Sequence, residues 1–338
     1  MNKHFTNIDV LKGICIVIVI IEHAHWPSNI YYNFLFPIWD RFAIPCFMVI
    51  SGYVYSHSFS KNESIKEHYS NKLIPRLLRY LIPYTTAIII EFLAIYIITK
   101  FDLLNLLNIS IKSNLNEQLS FTSILKTYFT GGYGPGNYYT PVIMELTILF
   151  PYINKFIKKY RFKGLILAFI FCLCSELWQY YFHIPNEIYR LLVFRHMFTI
   201  CFGIYVYLGY WKQNKLLNVL SLLTGLTYIL AHSYLGFTPY FFNRGWADVC
   251  FVSCLFYAPI AGFLIKKEDI KFKPLEKIGK ASYHIYLTQM VYYYFVKYEY
   301  VSLIIPNKLV FALLSIIICT FCGYIFYSIN IKMNIGKH

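Results

Sequence analysis

The amino-acid sequence predicts an all-α integral membrane protein, a polytopic bundle of about ten transmembrane helices with both termini in the cytoplasm. Three observations carry this reading. Of the 338 residues 58% are hydrophobic and only 14% charged, against about 25% charged in soluble domains, so a water-exposed surface would lack polar cover. Apolar runs long enough to cross ~30 Å of hydrocarbon recur along the whole chain. The basic residues behind the net charge of +15 fall in short clusters between those runs, which is an orientation signal rather than a nucleic-acid patch.

The runs lie near 9–26, 34–56, 80–99, 138–157, 164–182, 191–211, 216–233, 246–265, 281–297 and 308–329. The first could pass for a signal peptide, but it contains Lys12, Glu22, His23 and His25 and no small-residue cleavage site follows, so it stays as a helix. Ten spans put both termini on one side. Placing the N-terminus inside assigns about three times as many Lys and Arg to the inner segments and span edges as to the outer ones, with Lys12, Arg41 and Arg195 within spans, a bias that favours cytoplasmic termini. Residues 1–338 read as a single transmembrane domain with no fused soluble domain. The longest polar segment runs on the outer side from Lys100 to Asn137 and ends in Gly131-Gly132-Tyr133-Gly134-Pro135-Gly136; it either lines an outer substrate site or caps the surface. The nine cysteines are nearly all within spans. Cys319 and Cys322 have CxxC spacing, but an isolated pair in an apolar helix reads as packing, and no metal site is expected.

A charge in hydrocarbon costs about 2.5–3.5 kcal/mol even on the lenient insertion scale, so ionisable residues within spans should face the bundle interior or a wet cavity. Lys12 and His23 are 11 residues apart, just over three helical turns, and therefore point the same way. Glu22 and His25 beside His23 favour chemistry over packing, because a carboxylate can fix an imidazole tautomer and raise its basicity. Before the third span, Arg76 and Arg79 are i and i+3 and form one basic face at the membrane edge. They serve either as topological anchors or as a fork for a phosphorylated donor.

Several stretches resemble the integral-membrane acyltransferase family 3. They are Asp9-Val10-Leu11-Lys12-Gly13 through His23, then Ile44-Pro45-Cys46-Phe47-Met48-Val49-Ile50-Ser51-Gly52-Tyr53, then Arg76-Leu77-Leu78-Arg79, with Phe198 to Gly203 and Ala281 to Leu287 later in the chain. The resemblance covers nearly the whole length. It implies transfer of an acyl group, usually acetyl from acetyl-CoA, to a carbohydrate hydroxyl of a cell-envelope or exported polysaccharide or glycolipid at the bacterial cytoplasmic membrane. On it, His23 is the catalytic histidine, Lys12 its basic partner, and Arg76 and Arg79 hold the donor's phosphates. Acyl-CoA enters as a co-substrate rather than a bound cofactor, and no nucleic acid is involved. Two positions depart from the pattern: Lys12 stands where arginine is common, and Gln289 where many members have histidine.

The chemistry agrees independently. Acyl transfer from a thioester needs a base for the incoming hydroxyl and charge to offset a developing oxyanion, and His23 can be that base near neutral pH. Arg195 is a cation within a span, available for such charge or for packing against another helix's polar group. Arg41 reads as an interfacial anchor. Glu145 lies mid-span, where a carboxylate needs a partner among the cations or His23, and is carried as a further catalytic candidate. Ser51 is assigned to packing beside Gly52, the serine bonding its own helix and the glycine admitting a neighbour. Most of the 33 tyrosines, Tyr31, Tyr32, Tyr138 and Tyr139 among them, are expected in interfacial belts, although an outer cluster would also serve as a platform for sugar rings. The competing reading is a transporter or flippase for a lipid-linked saccharide; related halves or broken helices, which would favour it, are not evident in the sequence.

Overall fold

A computed structural model describes residues 6–24, 26–39, 42–59, 64–101, 119–212, 214–237, 253–266, 270–302 and 304–333. Among these residues there are helices and turns but no strand. The main helices are α1 (Thr6–Glu22), α2 (Ala43–Phe59), α3 (Leu73–Lys100), α4 (Phe121–Thr130), α5 (Tyr139–Tyr181), α6 (Met197–Tyr207), α7 (Lys215–Ile229), α8 (Ser253–Ile265), α9 (Lys273–Lys280), α10 (Ser282–Phe295) and α11 (Lys308–Lys332). Among the described residues, five helical stretches are long and apolar enough to cross a membrane: Phe36–Phe59, Ile65–Lys100, Tyr139–Tyr181, Lys215–Tyr234 and Lys308–Lys332.

The helix starts follow local chemistry. Ser120 accepts from the Ser123 N–H at 3.3 Å to cap α4, and Asn214 and Asn307 do the same for α7 and α11 at 2.9 Å from Leu216 and Leu309. Each satisfies amide donors that have no partner within the first turn. The expected fourth and fifth spans are the two limbs of α5. Its backbone leaves helical geometry at Arg161 (φ 50°, ψ −123°), within the basic run that separates the two apolar segments. The limbs double back, because Glu145 on the first and Cys172 on the second both bond the turn at Val193–Phe194.

The helices bury one face and leave the other apolar and exposed. Ile89, Leu93 and Ile97 of α3, Leu216, Leu220 and Leu223 of α7 and Leu313, Ile317 and Phe321 of α11 are all exposed, so each of these helices presents an apolar stripe suited to lipid rather than water. Inside, α2 and α6 cross closely: a Cβ at Gly52 would meet the Ile200 carbonyl, and one at Gly203 the Val49 carbonyl. Reciprocal glycines let two backbones touch where the hydrophobic effect supplies no drive, so dispersion holds the crossing. This is the packing role expected for Gly52.

Two ends of the bundle follow. At one, the short helix α9 lies against α1, with Gly279 on the Asp9 backbone and Leu275 on Gly13, next to Lys12. At the other, the end of α1 carries Glu22 and His23 beneath the glycine-rich turn 131–138. That turn is held inward. Asn137 Nδ2 donates to the Gly132 carbonyl at 2.9 Å, the Tyr286 hydroxyl donates to the Gly136 carbonyl at 2.9 Å, and the buried Glu91 of α3 accepts the Tyr133 N–H at 3.4 Å. Most of the long polar segment before it, residues 102–118, lies outside the described residues, as do His25 and Arg41.

Candidate active site

His23 sits at the carboxyl end of α1, its N–H still bonded to the Val19 carbonyl at 3.2 Å. Its Nδ1 is 2.9 Å from Oε1 of Gln289, a fully buried residue of α10. The amide's orientation is set from its other end, since Gln289 Nε2 donates to the Pro135 carbonyl at 3.4 Å. With the nitrogen so committed, the amide oxygen faces His23 and must accept, so Nδ1 carries the proton and Nε2 the lone pair. Tyr293 closes one side of the imidazole edge-on at 6.3 Å, and its hydroxyl donates to the Ile20 carbonyl at 2.8 Å, tying α10 to the same turn of α1.

His23 faces a cavity of about 50 Å³ whose walls include Phe47, Gly136, Tyr138, Tyr139 and Tyr286. A water needs about 10–15 Å³ by the same measure, so the space holds a few waters or one small group. Gly136 shapes the turn over His23: its φ is +81°, and a Cβ there would be in van der Waals contact with His23 Cε1 at 3.4 Å and with Tyr286 at 3.5 Å. Only glycine takes that backbone conformation at no steric cost.

The other sequence-derived candidates are distributed between the two ends. Lys12 is about 16 Å along the helix from His23 by helical rise; its Nζ lies 3.6 Å from Asp9 Oδ1. Ser51 donates to the Phe47 carbonyl of its own helix at 2.8 Å, the bond expected of a packing serine in a helix. Glu145 does not take the cationic or histidine partner expected from sequence. Its Oε2 accepts the Val193 N–H at 2.7 Å, capping the 3-10 turn Val193–His196, a backbone donor that satisfies a mid-span carboxylate without an ion pair. Arg195 lies on that turn. Glu22, Arg190 and Arg195 all act electrostatically on the Tyr138 hydroxyl.

At the opposite end Arg76 and Arg79 part company. Arg76 Nη1 donates to His68 Nδ1 and Nη2 to Ser58 Oγ, both at 2.8 Å. His68, fully buried, passes its own proton from Nε2 to the Thr147 carbonyl at 3.0 Å. Arg76 therefore pins the end of α2 and the turn before α3 onto α5. Arg79, one turn on, is exposed.

Three features escaped the sequence reading. Gln289 was visible there only as a departure from a pattern, His68 lay in a polar stretch between spans, and Tyr139 and Tyr286 were visible only as a possible sugar platform and as part of a family stretch, without their place in one cavity wall with His23. For His68 the available signal was its eight-residue spacing from Arg76, which means nothing until the turn between them is known.

Residues 5–328 match the family model of an acyltransferase domain, Acyl_transf_3. No curated protein and no solved structure was found to match the chain.

Proposed function

The chain belongs to the Acyl_transf_3 family of acyltransferase domains, and from that membership we propose that it is a membrane-bound O-acyltransferase that moves an acetyl group from acetyl-CoA to a hydroxyl of a cell-envelope or exported saccharide. The observation that supports it best is the His23–Gln289 bond at the wall of a small tyrosine-lined cavity. It leaves the lone pair on the imidazole nitrogen that does not face Gln289, as a general base requires.

In this reading the acceptor hydroxyl gives its proton to His23 Nε2 as its oxygen attacks the thioester carbonyl carbon. The carbon–sulfur bond then breaks, the ester forms, and the coenzyme A thiolate recovers the proton from the imidazolium. The tyrosine-walled cavity keeps competing water few, which favours transfer over hydrolysis. The end bearing Lys12, α9 and Arg79 faces the bacterial cytoplasm, in line with the excess of Lys and Arg assigned to that side, and it receives the donor, whose phosphates suit the exposed Arg79 guanidinium. The His23 end faces outward and receives the acceptor. Ten spans, with both termini inside, accommodate this arrangement.

Mass spectrometry of envelope glycans tests it. Cells with the protein should carry an acyl mass that is lost on deletion and stays lost when His23→Ala is supplied at equal abundance. Unchanged glycans after deletion would overturn the acyl-transfer reading; full acylation by His23→Ala would overturn the role of the histidine alone.

A further inference from the structure

We propose that Arg190, Arg195 and His196 form a binding site for a carboxylate or phosphate group, separated from the His23 cavity by the Tyr138 ring. Tyr138 is the shared wall. One of its sides lines the cavity, and its ring lies nearly parallel to His196 (12° between planes, centroids 6.3 Å apart). Arg190 follows the short helix Asn186–Tyr189, and Arg195 and His196 sit on the 3-10 turn. Both guanidinium groups lie close enough to the Tyr138 hydroxyl to influence it.

Four polar atoms of this cluster are buried with no hydrogen-bond partner among the described residues: Arg190 Nε, Arg195 Nε and both ring nitrogens of His196, and His196 is 2% exposed. Leaving such groups unsatisfied is costly, and native structures keep few of them without a reason. Neither arginine forms an ion pair among the described residues. Of the nearby carboxylates, Glu145 is committed to the Val193 N–H, and Glu22 shares the surroundings of the Tyr138 hydroxyl with both guanidinium groups, so the two arginines keep the cluster positive. Two guanidinium groups beside a buried imidazole match an oxyanion with several acceptor lone pairs, since the planar fork bonds carboxylate or phosphate oxygens in pairs. Such an anion has two sources, an acidic group on the saccharide acceptor or the phosphate of a lipid headgroup. Resting on the acyl-transfer reading, the first source would place the acceptor's anion beside the hydroxyl to be acylated.

Binding to the purified full-length protein, with no acyl donor present, tests the site. Glucuronate and glucose 6-phosphate should raise its melting temperature and bind, whereas glucose should not. Arg190→Gln and Arg195→Gln should each weaken that binding about tenfold, with Arg195→Lys recovering part of it. In a second arm, protein reconstituted with phosphatidylcholine, with and without phosphatidylglycerol, is examined by native mass spectrometry. Retention of phosphatidylglycerol that falls in both glutamine variants, with no response to the sugar anions, assigns the same site to a headgroup. Equal behaviour of the wild type and both variants toward every anion, or equal binding of glucose and glucuronate, would overturn the proposal. Should Arg195→Gln fail to fold, Arg190→Gln and Arg195→Lys carry the comparison. Anion binding without acyl transfer would sink only the acyl-transfer reading, and transfer without anion binding would sink only this site.

Discussion

Gln289 Oε1 accepts from His23 Nδ1 at 2.9 Å while its Nε2 is held by the Pro135 carbonyl, so one buried amide fixes both the tautomer and the plane of the imidazole. This is the positioning role that a carboxylate fills in hydrolytic triads, performed by a neutral group at no charge-burial cost. Gln289→Leu should therefore lower kcat by about 10²-fold, within the range a general base contributes, and leave the acceptor KM nearly unchanged. Gln289→Glu, which still accepts from Nδ1, should retain most of the activity. Equal rates for the leucine variant and the wild type would remove Gln289 from the machinery.

Gly136 supplies a second test of the same geometry. An alanine there must hold φ near +81° and bring its methyl to 3.4 Å from the imidazole. The backbone conformation alone costs about 1–2 kcal/mol. Gly136→Ala should lower both the melting temperature and kcat, whereas Gly209→Ala, at φ +73° but with nothing within 4 Å, should lower only the melting temperature. Matching kinetic losses in the two variants would show that the cavity wall is indifferent to a methyl group.

Much of the architecture was legible because hydropathy reports burial in lipid directly. The basic run around Lys158–Lys163 separated two apolar segments that prove to be limbs of one kinked helix, and the His23 face was readable from helical spacing alone. What joins the site was not legible. The His23–Gln289 bond spans 266 residues and leaves no periodic signal. His68 has the polar neighbours of a loop residue and is buried only because the turn before α3 folds back onto Thr147. Glu145 was read correctly as needing a partner, but a backbone N–H exposed by a 3-10 turn cannot be seen in a residue pattern.

Lys12 lies far from His23 and beside Asp9, so its contribution is charge at the opposite end of α1. Lys12→Arg should keep activity, since a guanidinium can serve the same carboxylate. Lys12→Ala should reduce it, removing the ion pair that Lys12 makes with Asp9, itself only 8% exposed. Transfer rates measured at matched protein abundance check this; an inactive arginine variant would instead require the amine itself.

Orientation can be tested without any assay of transfer. Cysteines placed at Lys159 and Lys271, in a chain freed of its native cysteines, should react in intact cells only with membrane-permeant reagents. Labelling of either by an impermeant maleimide would place the Arg79 end outside and separate it from a cytoplasmic donor.

The donor prediction distinguishes two arginines that the sequence treats alike. Arg76 spends two of its nitrogens on His68 and Ser58, whereas Arg79 is exposed. A charge-assisted contact to a phosphate contributes about 1.5–3 kcal/mol, so Arg79→Ala should raise the donor KM by about tenfold or more with little change in melting temperature. Arg76→Ala should instead destabilise the fold, because it leaves buried His68 without the donor on Nδ1, and His68→Ala should reproduce that loss of stability. Donor KM and thermal unfolding measured on all three variants separate the roles. An unchanged donor KM in Arg79→Ala would return this residue to topological anchoring and turn the search for the coenzyme A phosphates to the lysines of α9, where Lys277 and Lys280 lie on the same side of the bundle as Lys12.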